Sequence, residues 1–330
     1  MNSTHRFTNQ DGKTPTILAA VRERLPGKLS WSAVRKLLHG NRIAIGGVLC
    51  VDEGRRLAMG EEILVSDRPV PPPPTEEDVR VLYVDDDVVV TEKPSGMTTL
   101  RRKDEMGWSQ ARRRQQPTLD ECVPRMIREH AAKKNKSKRI RQRLPKLFSV
   151  HRIDRDSSGL LMFARNQKAQ QKIIEQFAEH KAVRKYFAVV PGIFETQKCE
   201  SYLIRDRGDG LRGSTTDQSI GQHAVTHIAR LRTFGDYSEL ECRLETGRTN
   251  QIRIHLAELG FPICGDIKYR GPLGGPAVED ESGVHRLALH AAELAFTHPT
   301  TKKPLHFKTE WPRDMQQFLN RLQNQSAQER

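Results

Sequence analysis

The 330-residue chain has no C-x-x-C pair. Its five cysteines, Cys50, Cys122, Cys199, Cys242 and Cys264, are scattered and odd in number, which argues against a disulfide framework and a cysteine zinc site. Reduced, buried thiols in a cytoplasmic protein are the expectation. The twelve histidines include no H-E-x-x-H or similar ligand pair, so no metal is expected. No apolar run approaches the roughly 18–20 residues of a spanning helix, and none has the flanks of a signal peptide. A membrane is therefore the weaker candidate partner. There is no internal repeat to suggest a solenoid or propeller.

What the chain has is positive charge. Lys and Arg number 55 against 41 Asp and Glu, a formal net charge of +14, which favours a nucleic acid or another polyanion as partner. With 36% hydrophobic residues, the length suits one large core and a small accessory domain.

Pro69 and the run Pro71-Pro72-Pro73-Pro74 mark a stiff linker over residues 69–78. Before it, residues 1–14 read as a tail and 15–68 as a small domain. Ile17, Leu18, Val21 and Leu25 recur at helical spacing, as do Trp31, Val34, Leu37 and Leu38, with Ser30 or Ser32 as the second helix's N-cap. Residues 43–45 and 48–51 read as strands turning at Gly46-Gly47, and 62–65 as another. Residues 79–322 form the main domain, opening with a hairpin that turns at Asp85-Asp86-Asp87. A basic insertion, 101–146, interrupts it with Arg101-Arg102-Lys103, Arg112-Arg113-Arg114 and a run from Lys133 to Arg139. Such runs repel one another and are expected to stay mobile without a polyanion, apart from a short helix over 119–127. Strands at 147–150, 159–164 and 185–190 and a helix over 169–178 follow without strict alternation, so the class is α+β. A helix opening at Pro312 buries Met315, Phe318, Leu319 and Leu322, and residues 323–330 read as a second tail.

The most informative stretch is His151-Arg152-Ile153-Asp154-Arg155-Asp156-Ser157-Ser158-Gly159-Leu160-Leu161. Asp154 stands between arginines at the joint of two apolar runs. Neighbouring positive charge lowers a carboxyl's pKa, which predicts an ionised acid able to act as nucleophile or base.

Four blocks together resemble the RluA-type ribosomal pseudouridine synthases: His151 to Asp154 with Ser158 to Leu161, Arg184-Lys185-Tyr186-Phe187-Ala188, Thr246 to Leu256 with Gly260, Pro262-Ile263 and Gly265-Asp266, and Arg286 to Ala291 with His298-Pro299. Residues 15–66 resemble the alpha-L (S-four type) RNA-binding domain, with Arg22, Arg24, Lys28, Arg35 and Lys36 on its helices. The resemblance implies a long, mixed, mostly antiparallel sheet flanked by helices around a central cleft. It implies Asp154 as nucleophile, Tyr186 as the ring that stacks on the base and accepts a proton, and Arg253 as the bidentate partner of the nucleophile. Arg152 would fill the space left by an everted base. Arg248 and Gln251 would contact phosphate or ribose, Lys185 would flank Tyr186 at the RNA, and Arg35 would dock RNA from the small domain. Ile153, Ser157 and Asn250 depart from the family's usual Leu, Thr and His. The last exchange removes a titratable group.

The expected activity is isomerisation of selected uridines in structured RNA, with large-subunit ribosomal RNA or a pre-ribosomal particle as partner. No cofactor or metal is expected, and the chain is expected to be a monomer. The alternatives are a transfer RNA synthase of the same family and an RNA-binding assembly factor whose catalytic domain is vestigial.

Overall fold

The computed structural model describes residues 5–10, 14–27, 29–67, 69–134 and 144–328, without the side chains of 104, 111, 131–134 and 328. The chain divides into two compact units, 1–74 and 75–330.

In the first unit, strand β1 (His5–Thr8) occupies part of the stretch that reads as a tail, and pairs antiparallel with β4 (Glu62–Val65). Helices α1 (Ile17–Arg24) and α2 (Trp31–His39) start where Thr16 and Ser30 accept hydrogen bonds from the amides of Ala19 and Ala33. Each cap satisfies an amide that the first helical turn leaves unpaired. Strands β2 (Ile43–Ile45) and β3 (Val48–Leu49) turn through Gly46 and Gly47, both at positive φ, the geometry of a tight hairpin. Ile17, Val21, Val34, Leu38, Ile43 and Ile63 close the core between helices and sheet.

The second unit is built on one mixed sheet. Its strands are β5 (Arg80–Val84), β6 (Val88–Lys93), β7 (Phe148–Ser149), β8 (Ser158–Ala164), β9 (Val183–Pro191), β10 (Gln197–Ile204), β11 (Gly213–Thr215), β12 (Gln222–Phe234), β13 (Tyr237–Leu244), β14 (Leu289–Thr297) and β15 (Pro304–Lys308). The order is β11-β10-β12-β13-β9-β14-β8-β6-β5, with β15 beside β14 and β7 beside β8. Only β14 and β8 run parallel among the described strands. Helix α3 (Gln110–Gln115) precedes α4 (Leu119–Lys134) in the insertion, and α4, α5 (Gln167–Ala178), α6 (Gln251–Glu258) and α7 (Arg313–Gln328) flank the sheet.

β8 is buried along its whole length, which is why Gly159 to Ala164 reads as a continuous apolar run. At its start, Gly159 has φ +110, and a Cβ there would lie 2.3 Å from the carbonyl oxygen of Ala291 on β14. The absent side chain lets the two backbones meet, and the loop that carries Asp154 therefore enters the sheet directly beside β14.

Two expectations need correction. The insertion is partly ordered: Arg101 is paired with Glu121 at 2.7 Å, Arg112 lies 3.8 Å from the Trp108 ring, and α4 continues from Leu119 to Lys134. Carboxylates and an indole face offset the like-charge repulsion. From Asn135 to Arg139, the basic run lies outside the described residues. α7 continues to Gln328 through the stretch that reads as a tail, with Leu322 still buried.

Candidate active site

Asp154 sits in the loop between β7 and β8. The backbone of this loop is tied to the segment that follows β6. Lys93 Nζ donates to the carbonyls of Arg155 (3.0 Å), Ser157 (2.7 Å), Met97 (2.7 Å) and Pro94 (2.8 Å). Ser95 Oγ donates to Asp156 O at 2.6 Å, Thr99 Oγ1 to Ile153 O at 2.9 Å, and Gly96 N to Arg155 O at 2.8 Å. Of the five successive carbonyls from Ile153 to Ser157, all but that of Asp154 are thus fixed by these bonds. Lys93 is wholly buried, and burial pushes its pKa down to about 7. The four carbonyls surrounding the ammonium favour its charged form.

Asp154, Tyr186 and Arg253 line one cleft of about 580 Å³, together with Arg152, Arg248 and Gln251. That volume lies within the ~300–1,000 Å³ usual for small-ligand sites. Arg253 comes from α6 and Tyr186 from β9. Arg253 Nη1 is 3.6 Å from Asp154 Oδ2. Its bidentate partner, however, is Asp266: Nε donates to Oδ2 at 2.6 Å and Nη2 to Oδ1 at 2.9 Å. Nη1 also donates to Asn250 Oδ1 at 3.3 Å, and the guanidinium lies 4.9 Å from the Tyr269 ring. This corrects the expected clamp on Asp154. Asp266 is deeply buried, so the strongest hydrogen bonds go where water is absent, leaving one edge of the guanidinium toward Asp154.

The expected direction of the Asp154 pKa shift also needs correction. Burial raises its pKa above the ordinary carboxylate value, and the opposing pull of Arg253 and Arg152 only partly offsets it. Its carboxylate accepts no hydrogen bond among the described residues, which leaves it basic. For Tyr186, burial is again the largest influence and pushes the phenol up to about 12. The phenol therefore holds its proton at neutral pH.

The other expected residues divide. Arg152 and Arg248 are exposed at the cleft, and Arg248 Nε donates to His223 O at 3.0 Å. Gln251 is committed within the protein. Its amide donates to Val225 O (3.0 Å) and Thr226 Oγ1 (2.9 Å), and its carbonyl accepts from Thr246 Oγ1 (2.8 Å) and Arg248 N (3.0 Å). It joins α6 to β12, with little left for RNA. Lys185 lies outside the cleft lining and pairs with Glu241 and Glu293 at 3.3 and 3.5 Å. Strand alternation turns it to the face opposite Tyr186. Arg35 belongs to the first unit and pairs with Glu53 at 3.1 Å.

Sequence reading assigned no role to Lys93, Asp266 or Arg184. Lys93 ends the apolar strand Val88-Val89-Val90, Asp266 follows Gly265, and Arg184 stands two residues before Tyr186 and so on its face. Lys93 and Arg184 stand near the ends of strands, whereas Asp266 lies in the loop between α6 and β14. His151, at the head of the Asp154 motif, is a structural acceptor. Its Nε2 accepts from Met162 N at 3.2 Å, and burial pushes its pKa down to about 3.

Residues 87–258 match the family described as RNA pseudouridylate synthase. An uncharacterized RNA pseudouridine synthase, YlyB, of Bacillus subtilis is 41% identical over 52% of this chain and 55% of its own length. A ribosomal large subunit pseudouridine synthase D of Xanthomonas campestris is 38% identical over 56% of this chain and 57% of its own. That of Neisseria meningitidis serogroup A is 32% identical over 80% and 67%. The chain spans little more than half the length of the first two. Human RNA Pseudouridylate Synthase Domain Containing 4 has the same fold, with TM-score 0.55 and 21% identity over 74% of this chain and 92% of that one. The mixed sheet, its cleft and these matches lead to one assignment: the chain belongs to the RNA pseudouridylate synthase family.

Proposed function

We propose that this protein isomerises selected uridines of structured RNA to pseudouridine, with large-subunit ribosomal RNA as its substrate. The reading rests chiefly on one observation: Asp154, with its pKa raised, shares a cleft with Tyr186 and lies 3.6 Å from a guanidinium that Asp266 holds in place. The isomerisation breaks N1–C1′ and forms C5–C1′, while a proton leaves C5 and N1 gains one. No redox change is involved and no energy source is needed.

In this reading Asp154 is the nucleophile, and Arg253 stabilises the carboxylate without neutralising it. Tyr186 stacks on the everted base, and its hydroxyl relays the C5 proton, giving up its own as it takes another. Arg152 enters the stack that the base has left, where protein contacts offset a few kcal/mol of unstacking. Arg248 approaches the backbone at the cleft edge. The first unit, as an alpha-L domain, supplies basic helix faces, Arg35 among them, for docking RNA. The expected setting is a cytoplasmic monomer without cofactor or metal. Among the described residues, no helix is long and apolar enough to cross a membrane.

The test is to map pseudouridines in cellular ribosomal and transfer RNA from a deletion strain complemented with wild-type or Asp154→Asn protein. Ribosomal sites that vanish on deletion and return only with the wild type support the reading. Loss confined to transfer RNA corrects the substrate. Sites restored by Asp154→Asn point to a binding role instead.

A further inference from the structure

Arg184 is a buried cation with no carboxylate partner. Its residue is 8% exposed, and no ion pair to it occurs among the described residues. Nη2 donates to Glu245 O at 3.3 Å, an oxygen that His180 Nδ1 already contacts at 2.7 Å. Nε is buried without a hydrogen-bond partner. One face of the guanidinium packs on Phe177 at 4.9 Å, and its Nη1 reaches over Gly247, where a Cβ would lie 2.4 Å away. Phe177, Gly247 and Glu245 all line the cleft, as does Arg184 itself.

A buried charge is ordinarily paired, because desolvation without compensation costs several kcal/mol. Burial accordingly pulls the pKa of Arg184 down. A guanidinium held in this way, with most of its five N–H groups uncommitted, is suited to an anion entering the cleft. Nucleobase carbonyls are neutral acceptors. The only anion an RNA brings is its phosphodiester, whose two free oxygens match the planar fork of arginine. Gln251, the expected neighbour contact, is already committed.

We propose that Arg184 binds a phosphodiester flanking the everted uridine and so anchors the nucleotide beside Tyr186. The proposal rests on the uridine-isomerising reading and extends it to a subsite. It also accounts for Gly247: the absent side chain leaves room for the guanidinium at the cleft wall.

The experiment is a chemical double-mutant cycle. A stem-loop RNA carrying a uridine mapped as above is made in three forms: all-phosphodiester, and with one uncharged methylphosphonate either 5′ or 3′ of that uridine. Turnover and binding affinity are measured for wild type and Arg184→Met. Wild type is expected to lose roughly tenfold to a hundredfold in kcat/KM at one of the two linkages, the scale of a charged hydrogen bond. Arg184→Met is expected to lose less than about twofold further at that linkage, and to melt no lower than wild type because an uncompensated buried charge is gone. Equal sensitivity of both proteins at both linkages overturns the proposal, as does a wild type indifferent to either linkage. Arg184→Gln serves if the Met variant does not fold. Binding that discriminates the linkages without turnover on any RNA would fail the isomerase reading and leave the phosphate contact standing.

Discussion

At Asp154, the requirements of stability and of the proposed chemistry conflict. Its raised pKa means the folded state holds this proton more tightly than the unfolded chain. As pH rises from about the ordinary carboxylate value of 3.8 through the folded pKa, stability falls, and the deficit is complete above it. Asp154→Asn avoids the deficit and leaves Arg253 paired with Asp266. It should melt higher than wild type at pH 7.5, with the gap closing toward acid, while losing roughly 10³-fold or more in turnover. Calorimetry across pH, beside an activity assay, checks both. A variant that melts lower at neutral pH would show that Asp154 contributes to stability. Turnover of the wild type should fail on acidification at a pH above that of an exposed aspartate.

Lys93 gives the opposite case, a charge whose removal harms the fold. Methionine there would remove the lysine donor from four carbonyls at 2.7–3.0 Å, of which only that of Arg155 keeps another donor named above, the amide of Gly96. Lys93→Met should cost about 3 kcal/mol or more in chemical denaturation, since each buried unsatisfied group costs roughly 1–3 kcal/mol. The motif around Asp154 was legible in sequence because residue types suited to the proposed chemistry sit at recognisable spacing. The support beneath it was not, because backbone carbonyls leave no mark in a sequence. Asp266 eluded reading for a related reason: a carboxylate that serves another side chain looks like any loop acid.

Among the elements, the start of β8 constrains the site most. Gly159 combines a left-handed φ of +110 with a contact distance that no Cβ tolerates, 2.3 Å to Ala291 O and 2.6 Å to Ala291 N. Gly159→Ala must therefore part β8 from β14 as well as strain its backbone. Overpacking and φ strain of about 1–3 kcal/mol each predict about 3 kcal/mol or more lost in denaturant unfolding. Turnover should fall further than the loss of folded protein accounts for, because the Asp154 loop enters β8 here. Helices were legible where an apolar face met a cap, as with Ser30 before α2. β10 to β13 were not identified, although β12 runs from Gln222 to Phe234. Much of β12 is exposed and bears His223, His227, Arg230 and Arg232, so its apolar alternation is diluted.

On the scale of the whole molecule, the charge of +14 must be distributed between pairs within the protein and charges free to meet phosphates. Many conspicuous arginines are already engaged: Arg101 with Glu121, Arg35 with Glu53, Arg253 with Asp266. Counting sequence charges therefore overstates the docking surface. Exposed Lys103 and Arg114 on the insertion are better candidates, with Arg152 and Arg248 at the cleft. Binding of a single-stranded RNA segment should weaken with salt at a log–log slope of about −0.7 for each phosphate contact. Replacing Lys103 and Arg114 together by Gln should make the slope shallower by about 1.4 if both meet phosphates. Arg35→Gln should change it by less, because Glu53 competes for that guanidinium. The slopes are measured by fluorescence anisotropy across 50–300 mM salt. If the double variant keeps the wild-type slope, the insertion does not dock RNA, and its ordering by Glu121 and Trp108 is then a structural feature of the second unit alone.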